Sequence, residues 1–402
     1  MPLIKCRWLQ KIRIVDLSRV LSGPFCARML GDLGAEVIKV ESGSGDPTRQ
    51  YPPARGTYGY YFTQFNVGKK SLGLNLYHPK GVEIIKKLIS VSDVVLENFR
   101  PGVLDKMGLG YSVLKQVNPR IILCSISGFG QTGPERDRIA YTDNIQAYSG
   151  MDYIAAKMIG PDADPPGYPY SFGDTYASLN AAIAILGALF NRESTGAGES
   201  IDISMLDCVL AANDSTLEKY IFSEGQLQTV GKAFRPPLRV KDGHIAAALA
   251  MQFERVVEAI GRPDLLKEER FKIIEERYKE ENFDEYFQLV KEWARHKTIE
   301  EVSQIFEKYD IPYGKVNTIE EVVNSPVVSY RDMLVCMGLP GDGPTLVVNT
   351  PFKVGRDACG PQGPPPRLGE HNQEILSGLL KFSEEEIAAL VRENILVEQK
   401  GS

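Results

Sequence analysis

The fold class of this chain follows from residues 12–40, IRIVDLSRVLSGPFCARMLGDLGAEVIKV. It begins with the alternating, β-rich segment Ile12–Leu17 and passes through a turn at Ser18–Pro24. Apolar residues then recur with helical spacing over Phe25–Leu33, and Glu36–Val40 forms a second short apolar strand. A strand, a helix and a strand within about thirty residues form a βαβ unit, which predicts a parallel sheet with right-handed crossovers.

The same alternation continues through the first half of the chain. The further predicted strands and helices are Pro79–Ser90 (helix), Asp93–Glu97 (strand), Tyr111–Val117 (helix), Arg120–Ser127 (strand), Thr175–Asn191 (helix) and Ser200–Ser204 (strand). Such an order predicts a doubly wound α/β domain.

The sequence changes character after the helical segment Met205–Ser223. Arg239–Ala248 has the pattern of a hairpin that turns at Asp242-Gly243, and Gln252–Lys308 is charged and helical. These features predict a smaller α+β domain. We therefore expect a large domain at 1–205 and 326–402, a linker at 206–235 and a small domain at 236–325.

Composition excludes several classes of protein. Of 402 residues, 43% are hydrophobic and 24% are charged, a globular mix that argues against disorder. The net charge of −6 disfavours nucleic-acid binding but leaves room for a local cluster of cations around an anionic ligand. The longest apolar run, Ala181–Phe190, has ten residues and is too short to cross a bilayer, so we expect no membrane partner.

No residue pattern indicates a metal site or export. The six cysteines lack Cys-x-x-Cys spacing and the four histidines lack His-Glu-x-x-His spacing, so we predict buried thiols and no metal. The first residues contain no apolar segment ahead of their charges, which favours a cytoplasmic protein without a signal peptide.

A glycine-rich segment, Gly128-Phe-Gly130-Gln-Thr-Gly133, has the spacing of a dinucleotide-binding fingerprint and follows a strand. That fingerprint requires a helix to open at once, so that its amides face a pyrophosphate. Here the polar segment Pro134–Arg138 follows instead. We therefore expect a loop at the carboxyl edge of the sheet, where α/β proteins bind ligands, and keep a dinucleotide site only as the alternative.

Asp174 directly precedes the alanine-rich helix and follows Gly173. One interpretation is structural, because aspartate is a favoured helix N-cap. The other is chemical: a helix N-terminus favours the ionised carboxylate, which can attack an activated acyl carbon. The two roles are compatible. The preceding glycine would leave room for the close approach of a substrate.

Cations are spaced through the N-terminal half of the chain, at predicted strand ends and in loops. They are Arg19, Lys39, Lys69, Lys70, Arg100, Lys106, Arg136 and Arg138. They are either surface residues or phosphate contacts, with Asn98-Phe99-Arg100 supplying amides and a guanidinium. An aromatic cluster of Tyr58, Tyr60, Tyr61 and Phe62 is predicted in a loop, under a lid or beside an apolar substrate.

Taken in order, these segments resemble the family III coenzyme A transferases, the formyl-CoA transferase and carnitine CoA-transferase group. The resemblance covers nearly the whole chain. It rests on Ile14–Pro24, Leu30–Glu41, Gly68–Ser71, Glu97–Gly102, Met107–Tyr111, Ser127–Pro134, Gly173-Asp174 and Pro365–His371. Each motif alone is modest, but their order and spacing together are specific.

The resemblance implies a Rossmann-like large domain, a small domain and two subunits interlocked as a homodimer. It also implies that Asp174 attacks the donor thioester, and that anhydride and aspartyl-CoA thioester intermediates follow. CoA and acyl-CoA would be substrates rather than permanently bound cofactors, and the acceptor a small carboxylic acid. By position, family CoA contacts fall on Arg19, Leu21, Ser22, Leu74, Asn75, Tyr77, Asn98, Phe99, Arg100, Lys106, Arg138 and Tyr141.

The chain departs from the formyl-CoA transferase pattern in two places. Leu21 stands where that branch has an active-site glutamine, and Ala247–Gln252 has no glycine where that branch has a glycine-rich loop. Both departures favour a larger or more apolar acyl group than those of formate and oxalate.

Two other functions remain as alternatives. One is an α-methylacyl-CoA racemase of the same fold, which needs a histidine where Tyr141 stands; a tyrosine with a pKa near 10 is a poor base at neutral pH. The other is a CoA-binding protein without chemistry, against which the presence of Gly173-Asp174 argues.

Overall fold

In a computed structural model of the chain, the described residues are 4–160, 162–212, 216–224, 235–355 and 357–398. The chain separates into two compact units. The first contains Met1–Gly150, Tyr168–Ala212 and Val327–Ser402, and the second contains Met151–Gly167 and Asn213–Pro326. Met151–Gly167 therefore groups with the second unit, although it lies inside the segment expected for the large domain.

The strands are short and lie in both units. In chain order they are β1 Ile4–Lys5, β2 Arg13–Asp16, β3 Glu36–Glu41, β4 Ala54–Arg55, β5 Tyr58–Gly59, β6 Lys70–Gly73, β7 Val94–Glu97, β8 Ile122–Ser127, β9 Ser200–Ser204, β10 Leu238–Val240, β11 Gly243–Ala247, β12 Tyr313–Lys315, β13 Leu334–Leu339, β14 Gly343–Val348 and β15 Asp357–Ala358.

The helices vary from one turn to more than six. The α-helices are α1 Ser22–Asp32, α2 Tyr60–Asn66, α3 Pro79–Ser90, α4 Val103–Lys106, α5 Tyr111–Val117, α6 Thr142–Tyr148, α7 Met151–Ile159, α8 Phe172–Thr195, α9 Met205–Ala211, α10 Thr216–Phe222, α11 Phe253–Ala259, α12 Glu269–Lys272, α13 Ile274–Arg277, α14 Glu280–Arg295, α15 Ile299–Lys308, α16 Ile319–Val323, α17 Pro326–Tyr330 and α18 Glu384–Arg392. Pro47–Gln50 and Pro263–Lys267 are 3-10 helices, and Glu374–Leu379 is a π-helix.

A six-stranded parallel sheet forms the centre of the first unit. Its strand order is β6-β3-β2-β7-β8-β9, and every neighbouring pair is parallel. Counted along the chain within this sheet, the order is 3-2-1-4-5-6, that of the doubly wound dinucleotide-binding folds. The parallel α/β sheet predicted from the sequence is therefore confirmed.

The strand order reverses direction between β2 and β7. Ile14 pairs with Val37 of β3 on one side and with Val94 of β7 on the other. A crevice opens at the carboxyl ends of two strands where the order reverses, and open α/β sheets bind their ligands there. The segments that follow β2 and β7, Ser18–Ser22 and Asn98–Arg100, therefore lie at this switch point.

Helix α3 shows why the crossover helices form where the sequence predicts them. Pro79 occupies the first helical position, and the His78 side chain accepts a hydrogen bond from the Lys80 backbone N–H. The apolar residues Ile84, Ile85, Leu88 and Ile89 recur on one face. All four are buried in the hydrophobic cluster that covers one side of the sheet.

On the other side of the sheet, α1 and α8 pack against each other. Helix α8 has 24 residues, and its inner face is built of small residues such as Gly173, Ala177, Ser178 and Ala181, all buried. Among the described residues it is long and apolar enough to cross a membrane by length and composition alone. An interior helix of a globular protein passes the same test, so the expectation of no membrane partner stays a prediction.

The second unit has its own core. Strands β10, β11 and β12 form an antiparallel sheet, and the hairpin predicted at Asp242-Gly243 joins β10 to β11. Phe253 of α11, Phe271 of α12 and Phe306 of α15 are fully buried in this core. The α+β character predicted for this part of the chain matches these elements.

A network of buried charges lies at the carboxyl end of β2. The Lys69 ammonium is 2.8 Å from the Asp16 carboxylate, and the Lys39 ammonium is 3.0 Å from Asp46. Although burial alone would raise the pKa of Asp16, Lys69 and Lys39 hold it below its ordinary value. Burial lowers the pKa of Lys69 to about 8.

The placement of two lysines corrects the sequence analysis. Lys39 and Lys69 are buried and occupied by protein partners, so neither is a surface residue or a phosphate contact. Lys70 is ion-paired with Glu36 and Glu374. The expectation of buried thiols also needs one correction, because Cys336 is exposed while the other five cysteines are buried.

We predict that Lys69→Met lowers the free energy of unfolding by about 3–5 kcal/mol, because it leaves the buried Asp16 carboxylate without its cation. Lys80→Met is the matched control. It removes an exposed pair with Glu393 and should cost less than about 1 kcal/mol. Urea denaturation followed by circular dichroism measures both, and equal losses would contradict the role given to the buried pair.

Candidate active site

Asp174 lies in the first turn of α8, at its third residue. The residue before the helix is Ser171, whose side chain makes no capping hydrogen bond. Side chains of α6 take that role: Gln146 accepts a hydrogen bond from the Phe172 N–H, and Thr142 accepts one from the Gly173 N–H, each at 3.0 Å. The N-cap role considered for Asp174 is therefore wrong, and its carboxylate is left for other partners.

Gly173 serves helix packing. A Cβ atom added there would lie 3.1 Å from both the Met205 methyl carbon and the Thr142 hydroxyl oxygen. Side chains of α6 and α9 therefore occupy the space beside Gly173. The expectation that this glycine leaves room for a substrate is wrong, and its physical reason is the close approach of three helices.

The Asp174 carboxyl group is partly buried and lies beside Ser22 in one cavity. Hydrogen bonding from the Ser22 hydroxyl and from the Ser22 backbone N–H lowers its pKa. Because Ser22 is the first residue of α1, the carboxylate lies at the N-termini of two helices, its own and α1.

Burial opposes these hydrogen bonds and has the larger effect on Asp174. It raises the pKa of Asp174 to about 6, the Ser22 hydrogen bonds lower it, and the nearby Asp143 carboxylate raises it further. The carboxylate is therefore predominantly ionised at neutral pH. Its raised pKa differs from the sequence-based expectation, in which the helix N-terminus alone set the charge state.

Asp174 lines a cavity of about 240 Å³ at the switch point of the sheet. Several residues that the resemblance assigns to CoA line the same cavity: Arg19, Ser22, Asn98, Phe99, Arg100, Arg138 and Tyr141. Arg136 also lines it. Four guanidinium groups around one carboxylate form a site suited to anionic phosphates.

A second cavity, of about 460 Å³, begins beside Arg19. Asn75 and Tyr77 line it, together with Ser42–Gly45. Leu21 and Leu74 are buried, and Lys106 is exposed; none of these three lines either cavity. Their assignment as CoA contacts stays a prediction.

Two of the cavity arginines stack on aromatic rings. The Arg138 guanidinium lies 5.5 Å from the Phe129 ring centroid and 5.4 Å from that of Tyr148. Arg19 lies 5.7 Å from the Phe99 ring centroid. Stacking restricts both side chains. One Arg138 amino group also donates to the Glu135 carboxylate at 3.4 Å, and the remaining guanidinium N–H groups suit phosphate binding.

The segment Asn98-Phe99-Arg100 is held by the strand that precedes it. The Phe99 N–H donates to the Glu97 carboxylate at 2.7 Å. Burial raises the pKa of Glu97 to about 7, although hydrogen bonds from Ser125 and Phe99 lower it. The loop is therefore held by a buried acid, Glu97. No cation is among the described partners of this acid.

The glycine-rich segment after β8 forms turns. No helix begins among the described residues between β8 and Thr142, and the Gln131 N–H donates to both oxygens of Asp202 at 3.0 and 2.9 Å. The expected loop is confirmed, and the dinucleotide alternative fails because no helix N-terminus follows the glycines.

The aromatic cluster forms a helix rather than the predicted loop. Tyr60–Asn66 is α2, with Phe62 fully buried and Tyr58 buried just before it. Tyr61 remains partly buried. Burial raises the pKa of Tyr61 to about 12, and the nearby Asp174 carboxylate contributes to that rise. Tyr61 therefore lies on the Asp174 side of the cluster.

Some residues of this site could not be found from the sequence. Thr142 and Gln146 act on α8 from a different helix, and no motif marks them. Arg136 was visible as one of the spaced cations, in the polar segment after the glycines. Among the described residues, no group of three or more potential ligands could hold a metal ion.

Comparison with known proteins gives a consistent result. The model of CoA-transferase family III matches residues 9–372. Human succinyl-CoA:glutarate CoA-transferase is 34% identical over 96% of this chain and 90% of its own length. Succinyl-CoA–D-citramalate CoA-transferase of Chloroflexus aurantiacus is 32% identical over 97% of this chain and 98% of its own length.

Solved structures agree. A CaiB/BaiF family protein from Brucella suis is 32% identical, with a TM-score of 0.79, and the match covers 92% of this chain and 99% of that protein. The orthorhombic form of Rv3272 from Mycobacterium tuberculosis is 28% identical, with a TM-score of 0.79 and coverages of 92% and 99%.

We predict that Arg100→Ala weakens CoA binding by about 1–3 kcal/mol, the worth of a lost charge-assisted hydrogen bond. Added salt should weaken binding to the native protein, since the ligand is anionic. Isothermal calorimetry measures both, with Lys80→Ala as a control at an exposed lysine that lines neither cavity. Unchanged affinity in Arg100→Ala would remove this residue from the site. Lys106→Ala is a separate test, because Lys106 lies outside both cavities.

Proposed function

The chain belongs to CoA-transferase family III, and we propose that it transfers CoA between dicarboxylic acids with Asp174 as the nucleophile. That the protein is an enzyme moving CoA from an acyl-CoA to a carboxylic acid follows from the family and from its curated relatives. Two points are proposed: Asp174 as the nucleophile and dicarboxylic acids as the substrates. The proposal for Asp174 is supported by the position of its carboxylate in a cavity lined by arginines.

In the proposed first half-reaction, the Asp174 carboxylate attacks the donor thioester carbonyl. The carbon–sulfur bond breaks, CoA leaves as thiolate, and an acyl–aspartyl anhydride remains. The thiolate then attacks the Asp174 acyl carbon. The donor acid leaves as a carboxylate, and an aspartyl-CoA thioester remains.

In the second half-reaction, the acceptor carboxylate attacks the aspartyl-CoA thioester and CoA thiolate leaves again. A second anhydride joins the acceptor to Asp174. The thiolate attacks the acceptor acyl carbon, which gives the new acyl-CoA and restores the Asp174 carboxylate. Each step exchanges one activated acyl bond for another, so the sequence needs no external source of energy.

The chain's own residues support these steps in two ways. Ser22 and the N-terminus of α1 hold the attacking carboxylate in its ionised form. The arginines of the cavity hold the anionic CoA while its thiolate is free, so that the thiolate is retained for the second attack.

The class of acid substrate is proposed from the names of the relatives and from the position of Leu21. Relatives at 32–34% identity are named for succinyl-CoA with glutarate, D-citramalate or L-malate. Leu21 is buried at the start of α1, where the formyl-CoA transferase branch has a glutamine. A buried leucine offers no hydrogen bond to oxalate or formate, which disfavours that pair.

We also propose a homodimer, as the family resemblance implies. Helix α8 leaves three large apolar side chains exposed along its length, Leu179 at 41%, Ile183 at 68% and Phe190 at 84%. Spacings of four and seven residues place them near one face of the helix. A second subunit would remove such a face from water.

Asp174→Asn should lower the transfer rate by several orders of magnitude while CoA binding and folding persist, because an amide is a far weaker nucleophile. Incubating native protein with acyl-CoA should add CoA or acyl mass to the peptide that contains Asp174, and hydroxylamine should release it. Asp143→Asn is the matched control, an exposed acid near Asp174 whose loss should leave transfer intact. More than a tenth of native turnover in Asp174→Asn would contradict the assignment.

A panel of donors and acceptors tests the acid class. We expect succinyl-CoA with a four- to six-carbon dicarboxylic or hydroxydicarboxylic acid to react faster than formyl-CoA with oxalate. Mass spectrometry of the acyl-CoA products measures each rate. The class is wrong if exchange between formate and oxalate is the fastest reaction of the panel.

Light scattering tests the assembly. We expect the mass of two subunits to persist at micromolar concentration, with an interface above about 2,000 Å². A monomer at that concentration would contradict the homodimer.

A further inference from the structure

Three hydrogen bonds of the Asn98 side chain go to protein partners. Its amide oxygen accepts from the Arg19 backbone N–H at 2.8 Å. Its amide nitrogen donates to the Arg19 carbonyl at 2.8 Å and to the Ser22 hydroxyl oxygen at 3.0 Å. Both amide hydrogens and the amide oxygen of Asn98 are thereby used. Because the Arg19 N–H can only donate and the Arg19 carbonyl can only accept, the orientation of the Asn98 amide is fixed.

Ser22 lies between Asn98 and Asp174, and all three residues line the same cavity. Its hydroxyl oxygen accepts from Asn98 at 3.0 Å, so its own proton stays available to the carboxylate. Hydrogen bonding from the Ser22 hydroxyl and from its backbone N–H lowers the pKa of Asp174. The contacts therefore lead from Asn98 through Ser22 to Asp174.

The turn that carries Ser22 is strained. Val20 has a φ of 66°, in the left-handed region that β-branched residues rarely occupy. Asn98 bridges the backbone of the preceding residue, Arg19, and the Asp46 carboxylate accepts the Val20 N–H at 3.2 Å. These contacts hold a conformation that the isolated segment would leave, and they set where Ser22 points.

Ser178 ties the two helix N-termini together. Its hydroxyl lies 2.7 Å from the Ser22 carbonyl oxygen and 2.7 Å from the Asp174 carbonyl oxygen. It is fully buried. The backbone of Ser22 is therefore held against α8 independently of the Asn98 and Ser22 side chains.

We propose that Asn98 and Ser22 are positioning residues for the nucleophile. Asn98 fixes the strained turn and orients the Ser22 hydroxyl, and Ser22 holds the Asp174 carboxylate ionised and aimed into the cavity. The resemblance assigns both residues to CoA, whereas here their side chains serve the protein's own carboxylate. This inference rests on the proposed role of Asp174.

The inference predicts a change in the pH dependence of the reaction. Asp174 reacts as a carboxylate, so the rate falls as pH drops through its pKa of about 6. The other groups around it are Asp143 of α6, which raises its pKa, Tyr61 of α2, and the arginines of the cavity. Removing the Ser22 or Asn98 side chain removes a contribution that lowers the pKa of Asp174. The acid limb of the pH–rate profile therefore moves to higher pH.

The experiment compares kcat/KM from pH 5 to 8 in native protein, Ser22→Ala, Ser22→Thr and Asn98→Ala. Asn118→Ala is the matched control, because Asn118 also makes hydrogen bonds to three backbone groups, those of Ile89, Ser92 and Arg120, away from the cavity. All variants share one acyl-CoA, so differences in the acid limb report on the enzyme. Calorimetry at pH 8 gives the affinity for CoA, and thermal melting gives folding.

We expect the midpoint of the acid limb to rise by about one pH unit in Ser22→Ala and Asn98→Ala, with affinity for CoA within about threefold of native. Ser22→Thr, which keeps the hydroxyl, should restore the native midpoint, and Asn118→Ala should not move it.

An unmoved midpoint in Ser22→Ala and Asn98→Ala would overturn the inference, and a tenfold loss of affinity for CoA with an unmoved midpoint would assign the two side chains to CoA instead. If Ser22→Ala does not fold, Asn98→Ala decides by the same criterion. Activity retained by Asp174→Asn would sink the proposed nucleophile itself, whereas an inactive Asp174→Asn with an unmoved midpoint in the other variants sinks only the positioning role.

Discussion

The site depends on the buried ion pairs at the carboxyl end of β2. Lys39 lies 3.0 Å from Asp46 and donates to the Ser18 carbonyl at 2.9 Å, and Asp46 accepts the Val20 N–H. These charges are costly to bury singly and stable only together. They fix the backbone of Ser18–Ser22 in a conformation that Val20 alone would avoid, and the start of α1 is set by that turn.

The position of α1 then decides the chemistry of Asp174. Two helix N-termini and the Ser22 hydroxyl favour the carboxylate, while burial and Asp143 favour the neutral acid. The balance places the pKa of Asp174 near 6. The carboxyl group is therefore mostly ionised at neutral pH, although burial leaves it poorly solvated. A carboxylate with few water contacts is a better nucleophile than an exposed one, because less solvent must be removed before it attacks.

The switch point of the sheet explains why these parts meet. The segment after β2 carries Arg19 and Ser22, and the segment after β7 carries Asn98, Phe99 and Arg100. The two strands are neighbours with Ile14 opposite Val94, so residues about 80 positions apart in the chain share one cavity. Reversal of the strand order leaves that edge open, and cations from both loops surround the opening.

Residue pattern was enough to predict the parallel sheet, the crossover helices and the hairpin of the second unit, because hydrophobic period and turn residues are local properties. It also identified Asp174 and most of the residues around it, through motifs whose order is specific. The sequence analysis missed that Lys39 and Lys69 are buried, and it wrongly assigned Gly173 to substrate access. Each of these roles depends on partners from distant segments. The folded structure was needed to show that α6 supplies the caps of α8, that Asn98 contacts Ser22, and that burial raises the pKa of Asp174. Burial, ion pairing and side-chain hydrogen bonds act through space, and a sequence pattern records only neighbours along the chain.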